Sequence, residues 1–315
     1  MKLLLVGPYP PPHGGISVHV RGLEQRSIAA GVPTRVLNSN NAGPRLILRI
    51  MAAASRGWTI HFHTNGHNLK SWILTSLCGF AACFAPERIL TLHSGMTPKY
   101  LEAVSPFRRF LARLVCAIYD RVICVSTGIR DAITHLGVDG AKTQISEAYL
   151  GVSISEVPID PALEQWMHSH APILSTAIFF RPEYGFDVLL NAIRELHRRH
   201  PLIGCVVMGD TEHRDTAMKQ AQQAGVAENV WLAGDLGHDF CLNVMARSDV
   251  FVRPTLEDGD SVSVREAIAL GVPVVASAVG ARPAEAILFS AGDVSALARK
   301  LQSALDLPRH MEQYA

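Results

Sequence analysis

The sequence predicts an α/β protein of two doubly wound parallel sheets facing across a cleft, and three observations predict it. Short β-branched or leucine-rich runs alternate with longer helical patterns along the whole chain, as βαβ units on parallel sheets do. The 315 residues exceed the roughly 100 to 200 of a usual domain. The alternation breaks once, in "GVSISEVPIDPALEQWMHSHAP" at 151–172, where three prolines and no sustained period mark a boundary. The expected division is a domain over 1–155, a linker over 156–171 and a second domain over 172–315.

In the first half the strand candidates are "KLLLVG", "TRVLNS", "TIHFHT", "RILTLH", "RVICVS" and "QISEAYL". In the second they are "ILSTAIFF", "GCVVMGD", "NVWLAG", "VFVRPT", "PVVAS" and "AILFS". Hydrophobic residues make up 48% of the chain and charged residues 18%, with a formal net charge of +1, which excludes a disordered chain and gives no reason for a nucleic-acid partner. The six cysteines form no CxxC pair and sit in apolar runs, so buried thiols in a reducing, cytoplasmic compartment are expected. The N-terminal apolar run is too short for a signal peptide and reads as a buried strand. "SWILTSLCGFAACFAP" at 71–86 falls short of the roughly 20 residues of a membrane-spanning helix and reads as a buried helix.

Ligands of doubly wound sheets bind beyond the carboxyl ends of the strands, so those loops hold the candidate site residues. After the first strand, Gly14 and Gly15 in "GPYPPPHGGIS" open a helical pattern, a geometry that suits a phosphate or a simple turn. In "IHFHTNGHN", His61 and His63 share a face and His67 follows; without a carboxylate or cysteine nearby, a metal site is not expected. His93 stands at the tip of the fourth strand, in either a structural or a catalytic place. Ser126 and Thr127 after the fifth suit a helix N-cap.

In the second half, the planar fork of Arg181 suits a pyrophosphate, or the residue is a solvated loop arginine. Gly209 and Asp235, in "VMGD" and "LAGDLGHD", suit tight turns and contacts to a nucleoside alike. The stretch "PTLEDGDSVSVREAIALGVPVVAS" crowds Glu257, Asp258 and Asp260 before a helix that also carries Glu266. Ser263 with Glu266 would form a capping box, and Gly271 and Pro273 would close the helix. Capping accounts for one or two acids; a hydroxyl-rich ligand would account for the rest, because carboxylates accept strong hydrogen bonds from sugar hydroxyls.

The blocks "PYPPPHGGISVHV", "TLHSGM", "RVICVSTGIRDAI", "RPEYGFDVLLNAI", "VVMGD", "VWLAGDL", "DGDSVSVREAIALGVPVVAS" and "VGARPAEAILFSAGDVSALARKL" occur in the order found in retaining GT-B glycosyltransferases of family 4, the glycosyl transferases group 1. The chain resembles that family along nearly its whole length, in particular its exopolysaccharide and lipopolysaccharide subgroup. The resemblance implies two Rossmann-like domains, the first on the acceptor side and the second binding the nucleotide sugar. It implies retaining transfer of a hexose from a nucleoside diphosphate sugar to a saccharide or lipid-linked acceptor, without metal or cofactor, at the inner face of a membrane.

Residue by residue, the resemblance puts Glu266 on the ribose, Asp258 and His93 by the donor sugar, the amides of Gly259, Asp260 and Ser261 toward sugar or phosphate, and Gly14 and Gly15 near the diphosphate. The family's usual arginine and lysine clamp is replaced here by Phe179 and Tyr184, leaving Arg181 as substitute. The replacement keeps open an alternative, a nucleotide-sugar-binding protein with impaired or lost transfer. "RLILRIMAAASR" and "FRRFLARL" pair arginines with apolar residues, a composition compatible with peripheral docking on anionic lipid or with ordinary amphipathic surface helices. "LDLPRHMEQYA" has room for only a stub of the family's last, returning helix.

Overall fold

In the computed structural model, residues 1–41, 43–151, 154–209 and 211–307 are described. They form two compact units: one of Met1–Leu150 together with Asp258–Ser261, the other of Gly151–Glu257 and the chain from Val262 on. The returning-helix stub falls mostly outside the described residues.

The first unit holds strands β1 (Lys2–Gly7), β2 (Thr34–Asn38), β3 (Trp58–Thr64), β4 (Arg88–Leu92), β5 (Arg121–Cys124) and β6 (Thr143–Ile145). The second holds β7 (Ile173–Ile178), β8 (Gly204–Gly209), β9 (Val230–Gly234), β10 (Val250–Arg253), β11 (Val274–Ser277) and β12 (Ile287–Phe289). Every expected strand forms. The sheet orders are β2-β1-β3-β4-β5-β6 and β12-β11-β10-β7-β8-β9, and all paired strands run parallel.

Helices cover both faces of each sheet, which is why the strands read as continuous apolar runs rather than alternating ones. The second unit makes this explicit. Cys205, Val207, Val250 and Val252 point into one core with the helices Phe186–His197 and Val294–Leu305. Their neighbours Val206, Met208 and Phe251 point into the other core, with the helices His238–Ala246 and Val262–Ala269. Period-two alternation thus feeds two cores from one strand.

Three expectations change. The stretch 156–171 is not only a linker: it contains the helix Pro161–Ser169, capped by Asp160, whose Leu163 and Met167 pack into the second unit's core. Two apolar positions four apart are too few to reveal a period in sequence. The helix within 71–86, Leu69–Ala81, is buried on one side only and exposes Ile73, Leu77 and Phe80. Cys83, just beyond it, is exposed, whereas Cys78, Cys116, Cys124 and Cys205 are buried. None of the described helices is long and apolar enough to cross a membrane.

Candidate functional site

Each sheet reverses its winding once. In the first, the chain moves outward on one side from β1 to β2 and on the other from β3 to β6; in the second, β7 leads to β9 on one side and β10 to β12 on the other. The crevice beyond the carboxyl ends at such a reversal is where doubly wound sheets bind ligands. Polar side chains gather at both places.

In the first unit, Gly14 caps the helix Gly15–Ala29, its amide donating to Ser17 Oγ at 2.9 Å. The space beside Gly15 is open. The same helix carries His19, which joins His63 from β3 and His93 from the end of β4. All three are buried, and each offers a donor atom within 4.8 Å of the others'. His63 Nδ1 lies 3.1 Å from His93 Nε2, and His19 Nδ1 lies 2.6 Å from the Ala148 carbonyl. His61 stacks on His63 with ring centroids 4.1 Å apart and bonds Thr91 Oγ1 at 2.7 Å, while His67 turns to Ser94 Oγ at 2.8 Å. The metal-type grouping is therefore not the sequence neighbours His61, His63 and His67 but a set from three elements.

Burial removes the water that would solvate an imidazolium, and the rings would repel one another if charged. Desolvation accordingly lowers His19, holds His63 and His93 well below the usual histidine range and takes His61 down to about 3. The cluster is neutral at pH 7. Three neutral imidazoles can ligate a divalent cation of the zinc class, but the close His63–His93 pair already satisfies one nitrogen of each ring. His63 Nε2 is buried without a hydrogen-bond partner, at a cost of about 1 to 3 kcal/mol.

The acidic stretch that precedes the helix Val262–Ala269 belongs to this unit over Asp258–Ser261. It fits there by backbone contact. A Cβ on Gly95 would collide with the Asp258 carbonyl, and one on Gly259 with the His93 carbonyl, so both positions need glycine. Asp258 Oδ1 accepts from the Gly259 amide at 3.0 Å. Asp260 is buried, and its Oδ2 accepts from the Ala148 amide at 2.9 Å. Ala148 therefore links Asp260 to His19 through its two backbone groups. Ser261 is buried next to it.

In the second unit the helix begins at Val262, so Ser263 lies within it rather than at its cap. The expected capping box gives way to a different partner: the buried Glu266 places Oε1 2.6 Å from His238 Nε2, at the start of the helix His238–Ala246. Around the reversal between β7 and β10 stand four aromatic and cationic groups. Phe179 and Tyr184 meet edge to face, with centroids 5.6 Å apart. Arg181, exposed, stacks over Phe179 at 5.3 Å, and Arg253, buried at the end of β10, stacks over Tyr184 at 5.3 Å and donates to the Ala177 carbonyl at 2.6 Å. Arg282, after β11, donates to the Ser277 carbonyl at 3.0 Å and to Thr255 Oγ1 at 3.2 Å. Gly209 ends β8 with φ 132°, its missing Cβ admitting the Ile178 carbonyl, and Asp235 follows β9. Sequence reasoning missed His19, His238, Arg253 and Arg282. Arg253 alone had a signal, a charge inside the apolar run "VFVRPT".

Two doubly wound sheets with polar groups at the carboxyl ends are the architecture of GT-B glycosyltransferases, and solved structures of that class resemble the chain. It is similar to Anabaena Alr3699/HepE in complex with UDP and glucose, with a TM-score of 0.73 over 97% of this chain and 90% of that one, at 16% identity. It is similar to sucrose-phosphate synthase from Thermosynechococcus elongatus with the same TM-score and coverage, at 20% identity. Over residues 172–306 the sequence matches the model of the family described as "Glycosyl transferases group 1". Among curated relatives, it is 27% identical to a 2-deoxystreptamine N-acetyl-D-glucosaminyltransferase of Streptomyces fradiae, over 93% of this chain and 76% of that protein. It is 33% identical to a GDP-mannose-dependent phosphatidylinositol monomannoside mannosyltransferase of Mycolicibacterium smegmatis, over 32% of this chain and only 28% of that protein's length.

Proposed function

We propose that the chain transfers a hexosyl group, with retention, from a nucleoside diphosphate sugar to an acceptor hydroxyl on a saccharide or lipid-linked molecule, in surface polysaccharide or glycolipid biosynthesis. The observation that carries this reading is the buried Glu266 carboxylate, held by His238 at 2.6 Å, within the group 1 segment. A fixed carboxylate with a second oxygen to offer suits the paired hydroxyls of a ribose. Gly209 and Asp235 would face the nucleoside.

Arg253, Arg282 and Arg181 would take the place of the family's clamp and balance the diphosphate charge, which the aromatic residues Phe179 and Tyr184 cannot do. Asp258, His93 and the amides of Gly259, Asp260 and Ser261 would address the sugar, and Gly14 and Gly15 the diphosphate. In the reaction, the acceptor oxygen bonds to the anomeric carbon on the face from which the diphosphate departs. The carbon–oxygen bond to phosphate breaks with its electron pair going to phosphate, and the acceptor proton follows to the same phosphate oxygen. Preorganised guanidinium groups stabilise the charge that develops. No step calls on a metal, so turnover is expected to be unchanged by EDTA.

The test is a transfer assay with UDP-, GDP- and ADP-sugars. Wild type should turn over at least one donor, with product anomeric configuration equal to the donor's by NMR. Glu266→Ala should lower turnover by about a hundredfold or more, the order for losing one preorganised polar contact. Undiminished turnover in that variant would overturn the assignment. The edge-to-face pair Phe179 and Tyr184 at the clamp positions favours the second reading, a nucleotide-sugar-binding protein without transfer. Calorimetric binding of a nucleoside diphosphate without turnover of any donor would select it.

A further inference from the structure

We infer that His19, His63 and His93 form a binding site for one divalent cation of the zinc class, and that the ion, when bound, shuts off transfer by occupying the place of the donor sugar. The rings come from the helix Gly15–Ala29, from β3 and from the end of β4, and each presents a ring nitrogen within 4.8 Å of the others'. The group contains imidazoles alone. Such a donor set selects zinc, copper or nickel over magnesium and calcium, which take oxygen ligands.

The spacing of the rings is that of a three-histidine site. An imidazole bound through one nitrogen at about 2.0 to 2.1 Å has its centre about 3.2 Å from the ion, so rings at tetrahedral angles have centres about 5.2 Å apart. The observed separations are 5.4 Å for His19 and His63, 4.9 Å for His19 and His93, and 5.4 Å for His63 and His93. His63 Nδ1 and His93 Nε2 are 3.1 Å apart, close to the roughly 3.3 Å between two nitrogens on one tetrahedral ion. Binding therefore requires the rings to tilt in place, exchanging the His63–His93 hydrogen bond for two coordinate bonds.

Two further features point to a ligand. A carbonyl only accepts, so His19 Nδ1 carries the proton of its 2.6 Å bond to Ala148, and Nε2 keeps its lone pair. Metal-ligating histidines are oriented in this way, by a bond from the second ring nitrogen to a backbone carbonyl or a carboxylate. Ala148 is held in turn by Asp260, whose carboxylate accepts its amide at 2.9 Å and sets a negative charge behind the cluster. His63 Nε2 is buried with no hydrogen-bond partner among the described residues, so the bonding capacity of the cluster is not used up. His63 is 1% exposed, whereas His19 at 8% and His93 at 9% keep slight contact with solvent. An ion can enter from their side and keep a fourth position for water, as three-histidine zinc sites do.

Binding of the ion is independent of the proposed transfer, whereas its inhibitory effect rests on the assignment of His93 to the donor sugar. The experiment is calorimetric titration of EDTA-treated, desalted protein with ZnCl₂ and, for comparison, MgCl₂, followed by Co²⁺ titration read by visible absorption. Wild type should take up one Zn²⁺ with micromolar or tighter affinity, ignore Mg²⁺ and give the intense visible bands of tetrahedral Co²⁺. His19→Gln and His63→Gln should each weaken Zn²⁺ binding about a hundredfold or more, since a lost ligand costs more than the roughly 10- to 100-fold of a lost orienting partner. His67→Gln, whose ring turns to Ser94, should bind as wild type does. Circular dichroism checks the fold of each variant, and the wild-type Co²⁺ spectrum decides the site even where a variant fails to fold. In the transfer assay Zn²⁺ should inhibit over the range in which it binds, and EDTA should restore the full rate. No binding by wild type, binding unaltered in both His19→Gln and His63→Gln, or an octahedral Co²⁺ spectrum would overturn the site. Transfer unaffected by saturating Zn²⁺ would overturn the inhibition. Absence of turnover with every donor would remove the inhibition along with the proposed function, while calorimetry still decides the site.

Discussion

The two sheet reversals differ in how they treat charge. At β1 and β3 the polar groups are imidazoles kept neutral by burial, with two carboxylates, Asp258 and Asp260, that accept from the backbone amides of Gly259 and Ala148. At β7 and β10 they are guanidiniums and a carboxylate, each stacked or hydrogen-bonded in place. The same topology thus builds one edge suited to uncharged hydroxyls and another suited to a polyanion. Charge at the second is stabilised by fixed partners; at the first, desolvation suppresses it.

Acidification strikes the first edge hardest. The histidines have folded pKa values below their unfolded value near 6.5, so the unfolded chain takes up protons first. Their contribution is complete above that pH and falls as pH drops below it. Between pH 7.5 and 5.5, denaturant melts should lose up to about 4 kcal/mol if three of the rings remain neutral when folded. A flat profile would show that the cluster is already solvated.

Gly95→Ala is next, because its Cβ would collide with the Asp258 carbonyl. It should cost about 3 kcal/mol in thermal or chemical denaturation and displace Asp258. Gly15→Ala, with open space at its Cβ, serves as its counterpart and should stay within about 0.5 kcal/mol. At the second edge, Arg253→Gln should weaken nucleoside diphosphate binding about tenfold to a hundredfold by calorimetry, while Arg253→Lys recovers only part of it because the stacked fork is lost. A small effect is also expected at the exposed pair Arg247 and Glu164, 2.8 Å apart: Glu164→Gln should change stability by less than about 1 kcal/mol.

The strands were legible because parallel sheets covered on both faces demand unbroken apolar runs, and all twelve expected runs are strands. Glu266 was singled out among the acids by the family resemblance, which puts it on the ribose. Its partner was not, since nothing local in "LAGDLGHD" says that His238 folds back over 28 residues. The His19 contact to Ala148 spans 129 residues and that of Asp260 to Ala148 spans 112. Such pairings depend on strand order, which local period does not encode. The crowded acids resolved in the same way: Asp260 accepts from a backbone amide of the first unit and Glu266 pairs with His238 at the second unit's edge.

The most direct test of this division is calorimetric titration of the full chain with UDP, GDP and ADP, in wild type, Glu266→Gln and His93→Gln. The account predicts that Glu266→Gln weakens binding of the preferred nucleotide at least tenfold, whereas His93→Gln binds it as wild type does and loses transfer. Full nucleotide binding by Glu266→Gln, or its loss in His93→Gln, would contradict the assignment of the nucleotide's ribose to Glu266 and of the sugar to His93.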